Sequence, residues 1–210
     1  MIFEVNWAGS MKNNGQYDPD DDFLEIMNVD CNKPIDLAGW WLVMDGDVKR
    51  TFVVPAGPNT VIAPNQVGVI IGKANGAFRD QGNADYKPIV LPGFFIPERH
   101  WTIETKTAEN FLIENAINTL HGPPLSGAFD GVTTRSMQRS QDRFEDETGA
   151  VSSWFSATPC NETSPSQQAA ALLGNACTNS NVGASGKFVH SDYALRTFAT
   201  PGEKNTPDYK

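Results

Sequence analysis

Asp18, Asp20 and Asp22 alternate with Pro19 and Asp21, and carboxylates at that spacing can converge on a hard cation such as calcium. An EF-hand loop counted from Asp18 fails at two required positions, since the sixth is Phe23 rather than glycine and the twelfth is Val29 rather than a bidentate Glu. A solvated acidic loop is the simpler reading, and these three aspartates stand as the candidate metal ligands. His100, His121 and His190 lie far apart, without the close spacing of a zinc site. Gly183-Ala184-Ser185-Gly186-Lys187 has the outline of a phosphate loop, but the motif's first glycine is missing and Phe188 stands where Ser or Thr is needed. No Gly-x-Ser-x-Gly elbow occurs. These residues give no catalytic set and no cofactor site beyond the calcium that the aspartate spacing suggests.

Cysteines and one tryptophan carry the remaining chemistry. Cys160 and Cys177 bracket a predicted helix, where a disulfide would stabilise the fold by about 3 kcal/mol on the chain-entropy model. Such a bond does not persist in the reducing cytosol, so the pair points to an exported protein. Cys31, in the polar turn Asp30-Cys31-Asn32-Lys33, is then left over, as a free surface thiol or else an intermolecular link, the first being the simpler reading. Trp40, Trp41 and Leu42 are consecutive. Successive side chains of a strand face opposite ways, so with Trp40 and Leu42 in the core Trp41 must point out. An indole left in water forgoes roughly 2–3 kcal/mol of burial. Trp41 is therefore expected to lie under the inserted segments, or otherwise to form a contact surface for a partner.

The elements that position these residues read as short apolar bursts between turn residues. Ile2 to Trp7, Phe23 to Asn28, Thr60 to Ala63 and Val67 to Ile71 are predicted strands, with Leu24 and Ile26 sharing one face. Trp40 to Met44 and Val48 to Val54 flank Asp45-Gly46, a dipeptide that favours a two-residue type I′ hairpin. From Gly72 to Asp130 the periodicity weakens, leaving Val90-Leu91 and Phe111 to Ile113 as short strands, and Val132 to Gln138 returns to the main sheets. Ser164-Pro165-Ser166-Gln167 opens one short helix that ends at Gly174, with a Ser cap, Pro in the first turn and Gln three residues after the cap. No repeat and no interdomain linker interrupts the chain, so residues 1–210 read as one domain with insertions near 72–130 and 160–196.

Eighteen glycines and 14 prolines beside a charged share of 20% suit a loop-rich β protein rather than a helical bundle. The net charge of −9 argues against nonspecific nucleic-acid binding, which needs clustered Lys and Arg. No apolar run is long enough to cross a bilayer as a helix. No basic-then-apolar leader precedes the first strand, so either the protein is cytosolic or Met1 stands where a leader has been removed, and the cysteines favour the second.

Asp22-Phe23-Leu24-Glu25-Ile26 with Asn28, followed by Ile35-Asp36-Leu37-Ala38-Gly39-Trp40 with Leu42, Asp45 and Gly46, form an ordered run that resembles the bacterial lamin tail domain. Phe52 to Gly57, Thr60-Val61-Ile62-Ala63-Pro64 and Val67 to Ile71 extend the likeness. Trp154 with Ala157-Thr158-Pro159, and Thr200-Pro201-Gly202-Glu203-Lys204-Asn205, are similar to the family's tryptophan and its closing motif. The likeness is weakest over 72–130, and 160–196 stands between two closing motifs that normally adjoin. The resemblance implies an all-β, immunoglobulin-like antiparallel β-sandwich in an extracytoplasmic setting, and it transfers no catalytic residues. The expected function is a noncatalytic binding or surface module for an unknown protein or surface ligand. A structural or scaffolding module of a larger exported assembly is the alternative, and an enzyme with a site built from the insertions is the third reading.

Overall fold

The computed structural model describes residues 1–46, 49–97, 101–117, 127–139, 154–157 and 187–203. Among these residues all regular structure is β. The chain begins with β1 (Ile2–Asn6), β2 (Ser10–Met11), β3 (Tyr17–Asp18), β4 (Phe23–Met27), β5 (Ile35–Asp36), β6 (Trp41–Gly46), β7 (Arg50–Val53), β8 (Val61–Ile62) and β9 (Val67–Ile71). It continues with β10 (Ile89–Val90), β11 (Trp101–Lys106), β12 (Leu112–Ile117), β13 (Ala128–Phe129), β14 (Thr134–Arg135), β15 (Met137–Arg139), β16 (Trp154–Ser156) and β17 (Thr197–Phe198).

Two sheets dominate, one of six strands in the order β10-β9-β4-β1-β15-β16 and one of four in the order β12-β11-β6-β7. Apolar residues two apart along each strand share a face, and one such face from each sheet builds the main core. Val5, Leu24, Ile26, Ile70 and Trp154 come from the first sheet, and Leu42, Met44 and Ile103 from the second. Trp40 and Phe52 pack half-buried against them.

The alternation of β4 is imperfect, because Phe23 adds a large apolar side chain to the face opposite Leu24 and Ile26. That face is buried too. Phe23, Val69 and Ile71 are covered by Phe78 and Tyr86 from the loop after β9, and by Phe188, Val189 and Tyr193 from near the chain's end. Phe78 meets Phe23 edge to face with ring centroids 4.7 Å apart, and Tyr86 stacks on Phe188 at 4.6 Å. The six-stranded sheet is thus covered on both sides at β4 and β9, whereas on the four-stranded sheet Trp41 and Val53 are exposed among the described residues and Val43 on the same side is buried.

Several expectations change. Asp45-Gly46 does not form a two-residue turn. Both residues stay in β6, where they pair with Thr102 and Trp101 of β11, and the Met44–Arg50 pair leaves residues 45–49 as the connection. Pairing with a third strand outweighs the local turn preference. Residues 72–130 are not merely an insertion, since β11 sits between β6 and β12. The sheets are not wholly antiparallel either, because β10 runs parallel to β9 and β17 parallel to β14. The predicted helix from Ser164 to Gly174 lies outside the described residues.

These faces make a comparison of neighbours informative. Leu42 is fully buried and Trp41 is 38% exposed. Leu42→Ala should cost about 2–5 kcal/mol in urea unfolding, and Trp41→Ala clearly less, despite the larger side chain removed. A greater loss at Trp41 would contradict the register of β6.

Candidate functional site

Glu4 on β1 and Glu25 on β4 lie directly opposite each other, on the outer face of the six-stranded sheet, and both are completely buried. Their row continues to Val69 on β9 and Gln138 on β15. Acids are almost never fully buried unless partnered, and here neutral donors are the partners. Glu4 Oε1 accepts from Ser136 Oγ, from Gln138 Nε2 at 3.1 Å and from the Thr200 amide at 3.0 Å, while Oε2 accepts from Thr200 Oγ1 at 2.8 Å. Glu25 Oε2 accepts from the Gly202 amide at 2.6 Å, and its Oε1 has no partner among the described residues.

Burial pushes both carboxyls above their ordinary value. The hydrogen bonds draw Glu4 back down, whereas the nearby Glu4 drives Glu25 higher still. Two carboxylates sharing a site do not ionise together easily. The donors around Glu4 favour its anion, and Glu25 is the member raised further. Carboxyl pairs with separated acidities equip many acid–base enzymes, but a catalytic group must come within reach of its substrate. Neither carboxyl opens to solvent, and both hold the backbone of the closing segment against the sheet.

Asp21 and Asp22 fasten loops in the same way. Asp22 Oδ1 accepts from the Gly9 amide at 3.1 Å and Oδ2 from the Ile96 amide at 2.8 Å. Asp21 Oδ2 accepts from Ser10 Oγ at 2.5 Å and the Ala77 amide at 2.7 Å. Asp18 is paired with Lys73, and Asp20 is exposed. The three aspartates considered as calcium ligands are therefore not brought together. Asp22 directly precedes β4, and the burial of that strand carries its side chain inward. Among the described residues, no group of three His, Cys, Asp or Glu side chains is placed to hold a metal ion. Glu4, Asp21 and Glu25 are the residues that a reading of alternation alone passes over. The available signal is an acid within an apolar strand, as in Ile2-Phe3-Glu4-Val5 and Phe23-Leu24-Glu25-Ile26.

The solvent side of the four-stranded sheet carries the other notable feature. Trp41 is opposite Val53 on one side and Lys106 on the other, and Lys106 is opposite Leu112. Residues directly opposite share a face, so Val53, Trp41 and Lys106 form one row, with Leu112 paired to Lys106 across a register shift. Val53 is 49%, Trp41 38% and Leu112 53% exposed, with Phe111 and Ile113 exposed beside them. Lys106 forms an ion pair with Glu104 at 2.9 Å. Among the described residues no part of 72–130 or 187–196 covers Trp41, and residues 158–186 lie outside them. Residues 77–86 and 188–199 pack instead on the back of the six-stranded sheet, where Phe23, Val69 and Ile71 together offer more apolar surface than one indole.

Cys31 is an exposed free thiol. Cys160, Cys177, His100 and His121 lie outside the described residues. His190 has Nδ1 3.5 Å from Asp192 Oδ2 and packs edge-on against Tyr193. The Lys187 amide donates to Glu203 Oε2 at 2.7 Å. Among the described residues no helix is long and apolar enough to cross a membrane. No known protein-family model matches the chain, and no curated protein matches it.

Glu4, Asp21, Asp22 and Glu25, all raised by burial, together set a pH dependence in which Glu25 is one contributor. A carboxyl whose folded pKa is raised binds a proton on folding, so its stabilising contribution is complete below the ordinary Glu value of 4.5 and is lost as pH climbs through the raised value. Stability should therefore fall with rising pH above that lower limit. Glu25→Gln keeps an acceptor for the Gly202 amide and removes the titration, so it should flatten the fall and equal or exceed wild type at neutral pH. Glu4→Gln turns an amide NH2 toward existing donors and should cost about 1–3 kcal/mol. Urea unfolding of the three proteins from acid to neutral pH measures this, and greater damage from Glu25→Gln than from Glu4→Gln would reverse the assignment.

Proposed function

We propose that this chain is a noncatalytic extracytoplasmic module, an immunoglobulin-like sandwich of the bacterial lamin tail kind, which binds a protein or surface ligand through the outer face of its four-stranded sheet. The observation that carries the reading is the row of Val53, Trp41 and Lys106, in which Val53 and Trp41 are exposed. Single exposed apolar residues are ordinary, whereas an aromatic with an exposed apolar residue beside it and a lysine on its other side has the make-up of a binding anchor with a polar rim.

The fold reading is supported by what the resembling residues do. Glu25 and Gly202 belong to two motifs far apart in sequence, and they meet in one hydrogen bond of 2.6 Å. Asn28 donates through Nδ2 to the carbonyls of Lys33 and Ile62, and Asp36 accepts from the Ala38 amide at 2.9 Å. Each of these polar residues fastens a strand to its following loop or to the closing segment. The extracytoplasmic setting rests on the resemblance and on the Cys160–Cys177 pairing. Alkylation and intact-mass measurement should find one reactive thiol, Cys31, before reduction and three afterwards. Three reactive thiols in protein made under oxidising conditions would remove that support.

Binding is tested by placing a photo-crosslinking residue at Val53, and for comparison at Val29 on a different surface, in the full chain expressed in its source cells. Adducts from position 53 that disappear with Trp41→Glu, while the thermal midpoint stays unchanged, are the expected result. Equal adducts from both positions, or adducts indifferent to Trp41→Glu, would count against the face.

A further inference from the structure

β9 is paired with β4 along its whole length, but on its other side β10 covers only Ile70 and Ile71. The Asn28 amide donates to the Gln66 carbonyl and the Gly72 amide to the Asp22 carbonyl. Bonded and non-bonded positions alternate along an antiparallel pair. Gly68 and Ile70 therefore turn their backbone groups toward β4, and Val67, Val69 and Ile71 turn theirs away. The Ile71 carbonyl does accept from Leu91, on the β10 side, at 2.8 Å. Pro88 immediately precedes β10, and proline, lacking an amide hydrogen, marks where a strand begins. The Val67 amide and carbonyl and the Val69 amide are consequently left without a protein partner among the described residues. Val69 itself is 4% exposed, and a buried backbone group without a partner is costly.

This open edge lines a cleft of about 240 Å³, together with Asn59, Val61, Ile62, Asp85 and Tyr86. The volume falls below the roughly 300–1,000 Å³ of small-molecule pockets. What the cleft offers is a short stretch of strand backbone with apolar and polar side chains beside it. Lys87 is committed to Asp80 at 3.0 Å, which leaves the exposed Asp85 as the unneutralised charge on the rim.

We infer that this cleft takes a short extended segment of a partner protein, carrying Lys or Arg, which adds to β9 as a strand. In such addition main-chain hydrogen bonds supply the affinity and neighbouring side chains the selectivity. A residue set opposite Val67 exchanges both of its bonds, and a carbonyl farther along accepts from the Val69 amide. The positively charged side chain answers Asp85. This contact lies in the six-stranded sheet and stands whether or not the Trp41 face binds anything.

The test is to select binders for the full chain from a displayed library of random seven-residue peptides, and then to follow amide hydrogen exchange of the labelled protein with the selected peptides bound. The Val67 and Val69 amides should gain protection of about tenfold or more, and the selected peptides should be enriched in Lys and Arg. Val67→Pro removes only an outward-facing amide, a change that a strand edge accepts, and it should weaken binding about tenfold or more. If circular dichroism shows that this variant is unfolded, Ala84→Trp fills the cleft without touching the β4 pairing and replaces it. A library that yields no binder, binders that protect other amides, or affinity unchanged in the folded variant would each overturn the inference.

Discussion

The bond network around Glu4 is the constraint from which the arrangement of the molecule follows. A carboxylate with no water around it must have its oxygens filled, and Glu4 finds its donors on β15 and in the closing segment at Thr200. Its neighbour Glu25 adds the Gly202 amide. The first strand is thereby joined to residues 196 positions away along the chain. Gly202 is specifically required here. It sits at φ +75°, and a Cβ there would come within 2.7 Å of the Tyr86 ring. The closing segment, Tyr86 and the acid pair therefore form one assembly, in which the polar bonds fix the position and the stacked Tyr86 and Phe188 rings exclude water. Contacts of such sequence separation form only after long loops have closed, so this layer completes the fold rather than starting it.

The same layer determines which surfaces remain available. With residues 77–86 and 188–203 held on the back of the six-stranded sheet, Trp41 is exposed among the described residues together with Val53 and Leu112. Where the layer falls short, beside Val67 and Val69, a strand edge remains open. Both prospective contact surfaces are thus consequences of where the buried acids direct the cover.

How far this was legible in the sequence follows from what sets each element. Val67 to Ile71 and the strand from Phe23 are dictated by local β-branched and aromatic runs, and the expected core residues Leu24, Ile26 and Leu42 take their places by simple alternation. The Asp45-Gly46 turn misleads because β11, distant in sequence and weakly periodic, extends β6 past it. In the aspartate loop, alternating spacing says nothing of which carboxylates are drawn inward, and it is Asp21 and Asp22 that are buried. Glu25 carries the least signal of all. An acid at that position reads as the solvent side of a half-buried strand, and only the remote segment that covers it makes it interior. The covering was expected over Trp41, on the energetic argument that segments seek apolar surface. Among the described residues the covering segments pack over Phe23, Val69 and Ile71.

The account depends most on the claim that one proton is unequally divided between Glu4 and Glu25. Carbon-detected NMR of the side-chain carboxyls in glutamate-labelled protein, titrated from acid to alkaline pH, measures that division residue by residue. Glu4 should ionise first, and Glu25 should retain the signal of a protonated acid well above the ordinary Glu value of 4.5. A Glu25 carboxyl that ionises at the ordinary value, or before Glu4, would contradict the account.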